Sequence, residues 1–207
     1  MYPQKIEPYE AQSPTLSKII TFSEKEIWDE CDRILAEGNK NKFSIWLIGP
    51  SGAGKTTISK ILYENLKINR NLILLDGDNI RNLYENNLGY DPISRSKNTK
   101  RYINLNKWLM SYNISSINAV ISPFEKDRKL CRKNIENYFE IYLKSSRDER
   151  IKRDKKKLYL PAINGKKKNV VDVDIPFEQP KNYDVLVDTE INTPKECVKE
   201  ILKKIKG

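Results

Sequence analysis

The stretch WLIGPSGAGKTTISKIL, Trp46 to Leu62, constrains the fold more than any other part of the chain. Five mostly apolar residues run into a turn with glycine at 49, 52 and 54, and a helical pattern opens on Lys55. Gly49 to Thr56 satisfies G-x-x-x-x-G-K-[ST], a loop whose glycines let successive backbone N–H groups converge on one anion at a helix N-terminus. In such a loop the lysine reaches the β- and γ-phosphates and the hydroxyl beside it holds Mg²⁺. The expected phosphate-binding residues are therefore Gly49, Ser51, Gly52, Ala53, Gly54, Lys55, Thr56 and Thr57, and the expected ligand is a nucleoside triphosphate, ATP first.

Strands and helices alternate from Phe43 onward. The sequence predicts strands in FSIWLIG, NLILLDGD, SSINAVISPF, YFEIYLK and DVLVDT, with helices from Lys55 to about Leu66, around 79 to 86, from about Arg95 to Tyr112, from about 126 to 136 and after Pro194. Such alternation implies right-handed crossovers and a parallel sheet covered on both faces. The expected class is α/β, a parallel sheet with the phosphate loop at the end of its first strand. A chain of 207 residues is long enough for one well-buried domain. Residues 43–207 are expected to form it. Residues 1–22, with Pro3, Pro8 and Pro14, read as a flexible lead. Residues 23–40 read as a packing helix opening on a capping box, Ser23 with Glu26.

Composition narrows the chemistry. There is no histidine, and the three cysteines, Cys31, Cys131 and Cys197, are far apart, which removes the usual zinc sites, CxxC redox motifs and histidine-dependent triads. The thiols are expected to be reduced. Lysine and arginine exceed aspartate and glutamate by 38 − 28 = 10, which favours anionic partners; the lysines are dispersed and no nucleic-acid motif accompanies them, so nucleic acid is not expected. No apolar run approaches the length of about 18 residues that a membrane span requires, and the amino-terminal stretch has no signal-like pattern, so a cytoplasmic location is expected.

Two further groups bear on what is done with the phosphate. Asp76 and Asp78 follow the second strand, at the carboxyl end where open parallel sheets keep their ligands. Residues two apart on an extended chain share a side, so both carboxylates are expected to face the loop, although two aspartates after a strand also serve as turn formers and caps. Arg81, Arg95, Asn98 and Arg101 come next, the last three expected on one helix face. Guanidinium forks suit phosphate or sulfate oxygens; a solvated basic face is the other reading of the same residues.

From about Phe43 to Ile205 the chain resembles the adenylylsulfate kinases. GPSGAGKTT, DGDNIR, LGYDPISRSKNTKR, ISPF at 121–124, RDKKKLY at 153–159 and VLVDT at 185–189 occur in family order. The resemblance implies transfer of the ATP γ-phosphate to the ribose 3′-hydroxyl of adenosine 5′-phosphosulfate, with Mg²⁺ held by Thr56 and Asp76. It implies Lys55, Asp78 and Asp76 as catalytic residues, Asp78 orienting or deprotonating the hydroxyl. Arg153 joins the ATP-binding residues. The implied acceptor contacts are Asp78, Arg81, Tyr90, Arg95, Asn98, Ile121, Ser122, Pro123 and Lys168. The resemblance also implies a P-loop NTPase fold of the nucleotide-kinase kind with a basic, mobile lid, which the arginine- and lysine-rich segment at about 147–169 fits; without the resemblance that segment reads as an exposed charge run. Where the family has a stretch like KNFTGID, this chain has KNVVDVD, so Val170 replaces a ring that helps sandwich the acceptor base. The expected partners are ATP and a small anionic nucleotide acceptor, with a homodimer left open. Two alternatives stand beside adenosine 5′-phosphosulfate: the same chemistry on another nucleotide such as cytidine diphosphoramidate, and a non-catalytic ATP-binding module.

Lys55→Ala is expected to lower the transfer rate by about 10² to 10³, the cost of removing one donor that meets charge developing in the transition state. Near-normal turnover in a folded Lys55→Ala protein would contradict this reading of the loop.

Overall fold

The computed structural model describes residues 42–67 and 71–205. The expected lead at 1–22 and packing helix at 23–40, with Cys31, lie outside the described residues.

β1 (Ser44–Ile48) is the middle strand of a five-stranded sheet. Every one of its residues is buried, the pattern expected of a strand covered on both faces. β2 (Leu72–Asp76), β3 (Ser115–Val120), β4 (Tyr138–Lys144) and β5 (Val185–Asp188) complete the order β2-β3-β1-β4-β5, and all four pairings are parallel. Parallel neighbours need crossovers, and helices supply them. α1 (Lys55–Leu66) follows β1, α2 (Gly77–Leu83) and α3 (Pro92–Ser111) follow β2, and α4 (Glu125–Asn134) follows β3. Two short helices, α5 (Arg147–Lys152) and α6 (Tyr159–Ile163), lie between β4 and β5, and α7 (Pro194–Ile205) closes the described chain.

The alternation of β1 divides the core. Ile45 and Leu47 join Ile58 and Leu62 of α1 and Val198 and Ile201 of α7 on one face. Trp46 and Ile48 join Ile80, Tyr102, Ile103 and Leu109 on the other, where α2, α3 and α4 pack. The expected sheet with helices on both faces is therefore present.

The helix boundaries differ from expectation for local reasons. α3 begins at Pro92, three residues before the expected start, because the Asp91 side chain accepts the Ser94 N–H at 2.9 Å and Pro92 occupies the first turn. α2 covers Gly77–Leu83 and stops short of residue 86, where Glu85 and Asn86 turn to φ values of 53° and 52°.

A polar cluster locks α3 onto the sheet. Asn106 is fully buried, and its Oδ1 accepts from the Ser44 hydroxyl at 2.8 Å, from Ser116 and from Asn118 Nδ2 at 3.1 Å. Its own amide donates to Tyr102 O and Asn118 Oδ1. Trp46 Nε1 donates to the Ser44 hydroxyl, so the strand's largest side chain is tied to the same cluster. A buried network in which every member is satisfied specifies one register of helix against sheet; a half-satisfied one is costly.

Asn106→Leu removes the acceptor of the Ser44 hydroxyl and the donor to Asn118 Oδ1 inside the core, while Ser116 and Asn118 Nδ2 keep other partners. A loss of about 2 to 3 kcal/mol is expected, read as a lower urea midpoint. A midpoint equal to that of the unaltered protein would show that the cluster contributes nothing to the docking of α3.

Candidate active site

Because β1 and β3 are in register, with Ile48 beside Val120, the loops that follow them leave the sheet at the same edge. Gly49 N–H donates to Ile121 O at 3.4 Å and joins the two loops directly. The 49–54 loop then curls into α1. Gly54 caps that helix at φ 90°, a left-handed conformation that glycine adopts without strain. At Gly52, φ is 78°, and an added Cβ would stand 2.8 Å from Arg150 O, so the loop is pressed against α5.

A cavity of about 900 Å³ opens over this edge. Ser51, Gly52, Gly54, Lys55, Thr56 and Thr57 line it on one side, and Asp76 and Asp78 lie along its floor. Arg81, Tyr90, Arg95, Asn98 and the 121–123 loop form the opposite wall, and Arg153 to Lys156 close over it. Most of the expected site residues thus meet in one place. Gly49, Ala53 and Lys168 are the exceptions. Ala53 is fully buried behind the loop, Gly49 ties it to the loop after β3, and Lys168 is exposed and does not line the cavity.

Lys55 Nζ donates to Gly49 O at 2.9 Å and Pro50 O at 2.7 Å. Desolvation pushes its ammonium down to about 7, against the pull of Asp76 and with the help of nearby Lys156 and Arg150. Thr56 Oγ1 donates to Asp76 Oδ2 at 2.9 Å, which sets a hydroxyl and a carboxylate side by side at the loop. Among the described residues no cluster of three or more acidic, histidine or cysteine side chains offers a closed metal cage. The pair fits Mg²⁺, which keeps waters and leans on phosphate oxygens with one or two protein ligands.

The two aspartates share the cavity, but not through strand alternation. β2 ends at Asp76, which caps α2 by accepting the Asp78 N–H at 3.2 Å, and Asp78 stands in the first turn of that helix. The capping role and the position at the site coincide. Asp78 Oδ2 receives a hydrogen bond from Lys156, so a residue between α5 and α6 reaches across the cavity to it.

On the far wall, Arg81 is buried, donates to Leu88 O at 2.8 Å and lies 4.2 Å over the Tyr90 ring. Arg95 donates to Tyr90 O at 2.7 Å and to Asn169 O at 2.9 Å. Burial, with Arg81 beside it, pulls the Arg95 guanidinium down to about 10. Arg101 does not share this wall. It donates to Asn87 Oδ1 at 2.8 Å and stacks on Tyr84, because six residues advance a helix by about 600°, roughly 120° short of two full turns. Three buried polar atoms in the wall have no hydrogen-bond partner: Asn98 Oδ1, Tyr102 OH and Ser122 Oγ. Ser122 is held at φ 44°, its carbonyl accepting from buried Arg128 at 2.8 Å. Val170 is buried and is not part of the cavity wall.

Some participants were not singled out in the sequence. Tyr159 OH donates to Ser51 O at 2.8 Å and pins α6 to the loop. Trp46 and Tyr102 form the apolar floor, their rings 5.7 Å apart. A second cavity of about 410 Å³ adjoins the first through Gly54, Thr57 and Arg153, and is lined by Thr189 to Pro194 and Cys197. Arg153 spans the two and donates to Thr189 O at 3.0 Å. Nothing in the residue types at 189–197 announces a pocket; the helix start at Pro194 and the end of β5 create it.

Fold and site together define a class: a P-loop phosphotransferase that acts on a hydroxyl group. A family model, adenylylsulphate kinase, matches residues 41–188, and the chain belongs to that family. It is 36% identical over 191 residues to the adenylyl-sulfate kinase of Staphylococcus carnosus, covering 90% of this chain and 94% of that one. It is 39% identical over 166 residues to the cytidine diphosphoramidate kinase of Campylobacter jejuni, covering 80% and 97%. The solved APS kinase of Mycobacterium tuberculosis in complex with AMPPNP and APS superposes with a TM-score of 0.75 at 26% identity, covering 80% of this chain and 98% of that one.

The lowered Lys55 gives a pH prediction. A bound triphosphate stabilises the ammonium and raises its pKa, so above pH 7 binding takes up a proton and affinity falls as pH rises from about 7 toward the raised value, by up to about tenfold per unit. Calorimetry of AMPPNP binding at pH 8 in two buffers of different ionisation enthalpy should show net proton uptake. Equal apparent enthalpies would contradict it.

Proposed function

We propose that this chain is an ATP- and Mg²⁺-dependent kinase that phosphorylates the ribose 3′-hydroxyl of a 5′-modified nucleotide in the cytoplasm, adenosine 5′-phosphosulfate being the first candidate. The observation that supports it is the single cavity in which the phosphate loop faces an arginine-lined wall across two aspartates. Thr56 and Asp76 would hold Mg²⁺, which would supply positive charge to offset that of the phosphates.

The chain's own residues account for the rest. The 49–57 backbone and Lys55 take the β- and γ-phosphates, and the neighbouring cavity under Arg153 takes the nucleobase of ATP. Arg81, Arg95 and Asn98 meet the anionic acceptor, with Tyr90 presenting a ring to its base and Ile121, Ser122 and Pro123 bordering it. Asp78 orients the attacking hydroxyl and accepts its proton as the new oxygen–phosphorus bond forms and the bond from the γ-phosphorus to the β–γ bridging oxygen breaks, releasing ADP. Lys156 must leave Asp78 for that, so the 147–169 lid shifts as the acceptor enters. Its closure keeps water from the γ-phosphate.

A second reading, cytidine diphosphoramidate as acceptor, is favoured by one observation besides the Campylobacter relative. The position expected to carry a base-sandwiching ring is Val170, a buried aliphatic residue set back from the cavity. Stacking on an aromatic ring is worth about 1 to 3 kcal/mol, enough to change which base is preferred.

ADP release measured with adenosine 5′-phosphosulfate and with cytidine diphosphoramidate separates the readings by kcat/KM. Asp78→Asn should retain AMPPNP binding and lose most transfer to whichever acceptor is used, because the amide keeps the shape but cannot take the proton. Full activity in Asp78→Asn would overturn the role given to that residue, and no turnover with either compound would overturn both acceptors.

A further inference from the structure

Asp172 stands outside the site just described, yet its conformation is unusual. Its φ is 70°, in the left-handed region that L-residues other than asparagine and aspartate seldom visit. Both of its ends are tied to α5. The carboxylate pairs with Arg147 Nε at 3.2 Å and with Arg150 Nη2, and the Asp172 carbonyl accepts from Arg147. Arg150 is 6% exposed; its other arm donates to Ser145 O at 2.8 Å, and its Nε is buried with no hydrogen-bond partner. Asp172 is the one carboxylate in ion-pair contact with Arg150 among the described residues.

Arg150 is also the residue against which Gly52 is pressed, its carbonyl 2.8 Å and its Cβ 3.1 Å from where a Cβ on Gly52 would sit. The phosphate loop therefore has no slack on that side. In the other direction from Asp172 the chain forms a compact turn. Asn169 N–H and Val170 N–H both donate to the Asp174 carboxylate at 2.6 Å, Val170 O accepts from the backbone of Val173, Asp174 and Ile175, and Val171 bridges to Ile175. That turn presents Asn169 O to Arg95 on the acceptor wall.

We propose that Asp172 is a positioning residue that links occupancy of the phosphate loop, through Arg150, to the 169–175 turn that holds Arg95. The proposal rests on the loop being the ATP site. A shift of Gly52 on nucleotide binding displaces Arg150. Separating Arg150 from Asp172 strands a buried charge, which is costlier than a small rigid movement of a turn already bonded to itself. The turn therefore follows, and Arg95 with it. Coupling of this kind runs through contiguous packed and ion-paired groups, and it is reciprocal: an anion that draws Arg95 favours the nucleotide-bound loop.

The test is amide exchange at Asn169 and Val170, followed by NMR on the full chain with and without saturating AMPPNP and Mg²⁺, with AMPPNP affinity measured separately by calorimetry. In the unaltered protein, nucleotide should slow both amides by about tenfold. Asp172→Gly suits the backbone at φ 70° and removes the carboxylate; it should keep AMPPNP affinity within about threefold and lose the slowing. If the stranded Arg150 prevents that variant from folding, Asp172→Gly with Arg150→Leu leaves no unpaired charge and should also lose it. Slowing that persists in either folded variant overturns the proposal, as does none in the unaltered protein while calorimetry shows AMPPNP bound. Failure of AMPPNP to bind the unaltered protein removes the ATP reading, and the proposal with it, and calorimetry alone distinguishes that case.

Discussion

Everything at this site depends on one steric constraint: a run of backbone N–H groups must converge on a single point between the end of a strand buried on both faces and the first turn of a helix. β1 meets the first half of the condition because Ile45 and Leu47 fill one core while Trp46 and Ile48 fill the other. Glycine meets the second at 52 and 54, where φ is positive and, at 52, a side chain has no room. Once the loop is placed, the parallel register carries the ends of β2, β3 and β4 to the same edge. The aspartates, the 121–124 loop and the basic segment then have no other place to converge.

The opposite wall is held by other means. α3 carries Arg95 and Asn98, and its position on the sheet is set a few turns away by the buried Asn106 cluster. Arg128, itself buried, grips the carbonyls of buried Ser122 and exposed Glu178, at 2.8 and 2.7 Å, and pairs with buried Glu140 at 3.6 Å. Burial pushes the Glu140 carboxyl up, while Tyr138 and Arg128 oppose that push. Polar groups sequestered in this way cost desolvation, and their return is geometric precision at Ser122 and in the 176–178 chain beside it. Asn98, Tyr102 and Ser122, each with one buried polar atom that has no hydrogen-bond partner, all line the cavity.

The basic segment shows how one stretch of charge divides into different physical roles. Arg150 and Arg153 are structural anchors, one beneath Gly52 and one bonded to Thr189. Lys156 crosses to Asp78, while Leu160 and Ile163 stay exposed on α6. A surface charge run in isolation is solvated and contributes little. Here its members differ because Tyr159 fastens α6 to Ser51 and Asp154 caps the same helix at the Leu158 and Tyr159 amides. Those two ties fix which side chains point inward.

The sequence alone determined the fold class, the loop and its residue types, because glycine tolerance, helix capping and the alternation of strand and helix are local properties carried by spacing. It also determined that Asp76 and Asp78 belong near the loop, although for the wrong reason: the shared orientation comes from a helix starting at Gly77 and not from an extended strand. Arg101 was misplaced because a spacing of six drifts around a helix, and only the packing of α3 shows which of its faces meets the cavity. Lys168, Val170 and the 189–197 pocket were beyond local reading, since exposure and enclosure depend on elements far away in the chain. The tertiary structure alone decided that Asp172 pairs with Arg150 beneath the phosphate loop while its neighbour Asn169 meets Arg95. Residues 22 and 74 positions apart come into contact through a fold that no short window of sequence contains.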